Sequence, residues 1–155
     1  MIKDDLGLDG YFSHWSIIRR GLISLIDKFN DEELDYVPFP SAWSAREIVL
    51  HIANAEEGWF KFAVMHEMNQ WPDEYQTEDF LSVQSIKDIL VEVHQQTEIY
   101  LSRWSGSDLN KRIDLPWGET APLNWIIWHV IEHEIHHRGE LSLILGLLGK
   151  EGLEV

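Results

Sequence analysis

Cysteine is absent from this chain. That removes disulfides, thiolate metal sites and cysteine nucleophiles together, and it suits a cytoplasmic protein, the location expected here. Long apolar runs are missing too. Nothing approaches the roughly 18 consecutive apolar residues of a membrane span, so none is expected. The opening Met1-Ile2-Lys3-Asp4-Asp5 lacks the basic-then-apolar pattern of a secretory leader. Positive charge is scarce: 12 Lys and Arg stand against 27 Asp and Glu, a formal net charge of −15. Arg19-Arg20 and Lys111-Arg112 are the only adjacent basic pairs. Phosphate contacts need clustered cations, so nucleic acid is excluded as a partner. The acidic excess reads as solvated surface.

What remains is 155 residues with eight tryptophans. This length predicts a single domain over 1–155 with a substantial buried core. Four amphipathic segments stand out, and no strand alternation is visible. The first runs from Gly10 to Phe29, with Trp15, Ile18, Leu22, Leu25 and Ile26 at helical spacing. The second starts at Ser44, where Ser44-Ala45-Arg46-Glu47 has the form of a capping box, and runs to Met68 before Trp71-Pro72. The third spans Ser85 to Trp104, and a short helical turn is expected around Glu78 to Leu81. The fourth starts near Pro122, with Thr120 as its cap, and ends at Leu148 with Gly149 as its stop. The fold class that follows is all-α, a four-helix bundle. Its connections are long, roughly 14 to 17 residues, so loop length does not fix helix order. Trp71, Trp104 and Trp117 suit either loop packing or a subunit interface.

The histidines carry the chemistry. In Trp128-His129-Val130-Ile131-Glu132-His133-Glu134-Ile135-His136-His137-Arg138, His133 and His137 are four apart and share one helical face. At about 100° per residue, with His129 at zero, His133 falls near 40° and His137 near 80°. The apolar stripe of Ile126, Val130, Leu141, Ile144 and Leu148 occupies about 60° to 120°, so both imidazoles are expected to point into the bundle. His129 and His136 fall at the edge of that stripe. Buried imidazoles need partners. His51 supplies one, on the face of the second helix that carries Ile48 and Ile52. Three imidazoles suit a divalent ion such as zinc or nickel, with a position left open for substrate. A peptidase reading of His133-Glu134-Ile135-His136-His137 as H-E-x-x-H fails, because no downstream histidine follows to complete the site.

Two segments resemble the DinB/YfiT-like superfamily of metal-dependent enzymes. Trp43-Ser44-Ala45-Arg46-Glu47-Ile48-Val49-Leu50-His51-Ile52-Ala53-Asn54-Ala55-Glu56 is similar to its W-S-x-x-E-I-x-x-H-I-x-x-x-E helix start. His129 to Leu141 is similar to its H-x-x-x-H-x-x-x-H-R-G-Q-L ending, with Glu140 in place of the usual Gln. The resemblance implies a four-helix bundle, a homodimer, and a divalent ion on His51, His133 and His137. It also implies a small-molecule substrate, with a low-molecular-weight thiol the leading expectation, since the family includes thiol S-transferases and a mycothiol-dependent isomerase. The leading reading is therefore an enzyme that activates a small thiol. A metal-dependent hydrolase with Glu47 as base is the alternative, and a non-enzymatic stress-related binding protein the third reading. His129, His136, Trp59, Trp128 and Glu47 are weaker candidates for supporting positions around the site.

Overall fold

The computed structural model describes residues 8–154. Four helices form the molecule: α1 (Leu8–Ile26), α2 (Ala45–Glu57), α3 (Val83–Leu101) and α4 (Leu123–Leu147). The predicted capping box opens α2. The Ser44 side chain accepts from the Glu47 N–H, and the Glu47 carboxylate accepts from the Ser44 backbone. A matching Ser82/Ser85 box opens α3, two residues earlier than the apolar periodicity suggests. The predicted turn near Glu78 is a short 3-10 segment, Thr77–Asp79. Gly149 terminates α4 in the left-handed region, at φ 76°.

Expectations about three elements need correcting. The first concerns strands: β1 (Arg112–Asp114) and β2 (Thr120–Pro122) form an antiparallel hairpin, with Ile113 opposite Ala121. Three residues a side are too few to show alternation. The second concerns the cap of α4. Thr120 belongs to β2, where its hydroxyl accepts from Arg112 Nε at 2.8 Å. The first amides of α4 instead donate to backbone carbonyls: Leu123 N–H to Lys111 at 2.9 Å and Asn124 N–H to Leu109 at 2.8 Å.

Beyond Glu57 the second helix loosens into a π-helical segment, Gly58–Val64, and ends there rather than at Met68. Here Met65 N–H bonds five residues back to Phe60. Gly58 is required at this junction. A Cβ there would lie 2.3 Å from the Trp71 indole.

The core falls into two clusters, and they give the helix directions. One gathers Trp15, Ile18, Phe60, Leu101, Ile127 and Ile131. The other gathers Leu22, Leu25, Ile48, Ile52, Leu90 and Ile144. Chains α1 and α4 run from the first cluster to the second, and α2 and α3 run back. The bundle is therefore up-down-down-up, and the 65–82 connection crosses its length to make α2 and α3 parallel. Contacts link α2 to α3 and α4, and α1 to α3 and α4, so α1 and α2 stand on one diagonal.

Between the clusters lies a polar layer with one residue from each helix. Arg19 donates to Glu56 at 2.5 Å and to Glu134 at 2.8 Å. Trp15 Nε1 donates to Glu134 at 2.8 Å, and His94 Nδ1 lies 2.8 Å from Glu56. Both carboxylates are about 1% exposed. Such a layer fixes axial register, because sliding any helix by a turn strands a buried charge.

Candidate metal centre

α2 and α4 pack side by side in opposite directions, and their seam brings the three expected histidines together. His133 Nε2 lies 3.1 Å from His51 Nε2 and 3.1 Å from His137 Nε2. One ligand atom from each residue falls within 4.8 Å of the others. A tetrahedral ion with bonds of about 2.0–2.1 Å to nitrogen holds its ligands about 3.3 Å apart. The spacing therefore fits a single divalent ion.

The outward-facing nitrogens strengthen the fit. His137 Nδ1 is 2.7 Å from Glu140 Oε2, so this nitrogen carries the proton and donates, leaving the Nε2 lone pair aimed at the centre. His51 Nδ1 faces Glu74 Oε1 at 3.6 Å. Carboxylates behind ligating imidazoles are the usual means of fixing ring and tautomer. Burial, reinforced by the neighbouring imidazoles of His137 and His51, pushes His133 down to about 3. Burial also lowers His137, against the opposing pull of Glu140. Both rings are thus neutral donors near pH 7.

The triad does not point at the bundle axis, as the helical wheel suggests. His137 is buried, but His51 and His133 are only half-buried, and the seam opens to solvent. The axis is taken by Arg19, Glu56, His94 and Glu134. Glu134 therefore faces away from the histidines, locked to Arg19 and Trp15, and is no general base for a peptidase.

Local structure sets each group. The capping box starts α2 seven residues before His51. Arg46, buried beside it, binds Asp35 at 2.8 Å and ties the preceding loop to the helix. Asn54 accepts from Trp71 Nε1 at 3.1 Å and donates to the Asp73 carbonyl at 2.8 Å. That anchor delivers Glu74 to His51. Glu74 was beyond the reach of sequence reasoning, since it arrives from an irregular crossover. Trp43, the first residue of the α2 motif, covers the centre. Its ring lies 4.7 Å from His51 edge-on and 6.1 Å from His137 stacked, centroid to centroid.

Two clefts meet at Trp43. One, of about 360 Å³, is lined by Glu47, His51 and Glu74 among others. The second, of about 700 Å³, runs over Phe39, Trp43 and Leu143 and ends at His137 and Glu140. Of the weaker candidates, Glu47 borders the first cleft. His136 is exposed and sits 3.5 Å from Glu140. His129 stacks on Trp125 at 4.9 Å and meets Trp59 edge-on at 5.0 Å, in a separate aromatic cluster that also holds Trp71 and Trp117. Trp128 is exposed and borders neither cleft.

A family model for the DinB superfamily matches residues 14–141. The chain belongs to that superfamily. The uncharacterized protein YjoA of Bacillus subtilis (strain 168) is 26% identical over 141 residues, 88% of each chain. A DinB-like protein of Bacillus cereus superposes with a TM-score of 0.78 at 22% identity, over 97% of this chain and 99% of that one. YfiT of Bacillus subtilis, described as a probable metal-dependent hydrolase with an unusual four-helix bundle topology, gives 0.71 at 16% identity, over 97% and 92%. A mycothiol-dependent maleylpyruvate isomerase gives 0.62 at 12%, over 91% and 67%. At these identities the structural likeness shows the shared fold alone. No helix among the described residues is long and apolar enough to cross a membrane.

Proposed function

We propose that this chain is a divalent-metal-dependent enzyme in which His51, His133 and His137 hold the ion and a small thiol is the activated nucleophile. The observation that carries this reading is the convergence of three Nε2 atoms where two clefts meet. Zinc, nickel or a similar ion suits an all-imidazole set. When bound, the ion stabilises the anionic form of a thiol or water that completes its coordination.

The chain's own residues prepare that step. Glu140 holds the His137 ring by its Nδ1–H and keeps its donor nitrogen directed inward. Glu74, from the crossover, sets a carboxylate 3.6 Å behind His51 Nδ1, where it favours the tautomer protonated on that nitrogen. Trp43 packs over one side of the centre, its ring against His51 and His137. The mycothiol dependence of one structural neighbour supports a thiol as nucleophile.

Hydrolysis is the second reading. It is favoured by the Glu47 carboxylate in the same cleft as His51, where it could take a proton from water, and by the description of YfiT. Glu47 Oε2 is already engaged by the Ser44 N–H at 2.7 Å, which limits its freedom as a base. Metal-loaded protein incubated with a thiol and an electrophile separates the readings. Thiol consumption that His51→Ala abolishes is expected. No consumption with any thiol tried, alongside ester hydrolysis that Glu47→Ala abolishes, would overturn the thiol reading in favour of the second.

A further inference from the structure

The 700 Å³ groove beside His137 is lined mostly by apolar side chains, with His137, Glu140 and Ser41 its polar members. Phe39, Trp43, Ile48, Leu143, Ile144 and Leu147 form its walls. Three of these are far more exposed than their type favours: Phe39 at 60%, Leu143 at 65% and Leu147 at 54%. Leu143 and Leu147 are four apart on α4, so they extend one continuous strip outward from the centre. An exposed strip of this kind marks a surface that is covered in use. Of its polar members, His137 and Glu140 are the same pair that borders the three-histidine centre. Its volume lies within the roughly 300–1,000 Å³ of small-molecule sites.

Charge narrows the occupant further. Glu47 and Glu74 line the adjoining cleft, and Glu140 stands between the two. Among the described residues neither lining contains a lysine or arginine. The chain as a whole carries a formal charge of −15. An anionic substrate would meet repulsion on approach and find no lysine or arginine beside the proposed ion to hold its charge.

We infer that the molecule presented to the three-histidine centre is uncharged and carries an extended apolar arm, and that the arm lies in the groove between residues 38–43 and the 143–147 strip of α4. The inference rests on the proposed metal reading and specifies its substrate class. Trp43, common to both clefts, divides the arm from the reacting end. The groove's continuity with His137 is what assigns it to substrate rather than to a second protein surface.

The test uses cobalt-loaded protein, whose visible bands report a thiol entering the coordination sphere. Straight-chain alkanethiols of two to six carbons are titrated in turn, with mercaptosuccinate as the anionic comparison. Affinity is expected to rise about fourfold for each added methylene, the value for burying a CH2 group. Replacing both Leu143→Gln and Leu147→Gln flattens that series and leaves the cobalt bands of the thiol-free protein unchanged. A flat series in the unaltered protein, or tighter binding of mercaptosuccinate, overturns the inference. So does a dimer that the same paired substitution dissociates, combined with a flat series, which would assign the groove to a second copy of the chain. Absence of stoichiometric cobalt bands before any thiol is added overturns the metal reading itself, so the two failures are told apart.

Discussion

Glu56→Gln and Glu134→Gln, made separately, should have unequal consequences although both carboxylates bind one guanidinium. Burial acts to raise Glu56, but Arg19 and His94 outweigh it and hold the carboxyl at about 2, against 4.5 when unfolded. The difference between those values, at about 1.4 kcal/mol per pH unit, makes the ionised group worth about 3 kcal/mol at pH 7. That contribution is fully present above 4.5 and is lost as pH falls through 2. At pH 3 it has shrunk to about 1.4 kcal/mol. Glu134 behaves inversely. Burial raises it, Arg19 lowers it, Glu56 raises it again, and the net direction is upward. Its ionised form is therefore less favoured in the fold than in the unfolded chain, so the charge contributes little to stability. An amide in its place still accepts from Trp15, and is expected to change stability by less than about 1 kcal/mol. For a domain this size 1 kcal/mol moves Tm by about 2–4 °C. Thermal unfolding followed by circular dichroism at pH 7 should show Glu56→Gln melting about 6–12 °C lower, and Glu134→Gln within about 4 °C. The Glu56→Gln deficit should shrink on acidification toward pH 3. Equal losses for both variants, or a Glu56→Gln deficit that persists unchanged at pH 3, would refute the reasoning.

Gly58→Ala should destabilise the chain by about 1–3 kcal/mol, because the new methyl meets Trp71 at 2.3 Å; a displaced Trp71 would show as a shifted fluorescence maximum, and an unchanged urea midpoint would count against that packing. Ser44→Ala should cost about 1 kcal/mol by removing the cap of α2, read as a lower urea midpoint. Metal-free protein should lose stability as pH falls below 6.5, because the unfolded chain takes a proton that folded His133, held at about 3, refuses. His133→Gln should flatten the stability profile between pH 7 and 4, and a profile as steep as that of the unaltered chain would contradict this origin.

The convergence of His51, His133 and His137 was legible because helical periodicity places i and i+4 on one face, and because a third imidazole shared an apolar face on another helix. The capping box and the Gly149 stop were legible for the same local reason. The polar layer was not. Nothing in the local pattern ties Arg19, Glu56, His94 and Glu134 together, and only their common depth, one per helix, makes them a unit. With the axis so occupied, the histidines sit at the α2–α4 seam instead. Glu74 was hidden because an irregular crossover has no period to read, and its place depends on the Asn54 anchor. Helix direction was equally hidden. Loops that can span the bundle leave it open, and the partition of the core into two clusters supplies it.

X-ray absorption on zinc-loaded protein, with His51→Ala, His133→Ala and His137→Ala alongside, tests the central claim most directly. The account predicts one ion per chain with three imidazole nitrogens at about 2.0–2.1 Å, a non-protein ligand in the remaining position, and loss of tight binding in each variant. Failure to bind zinc stoichiometrically, retention of tight binding in the variants, or a fourth protein ligand closing the site would contradict it.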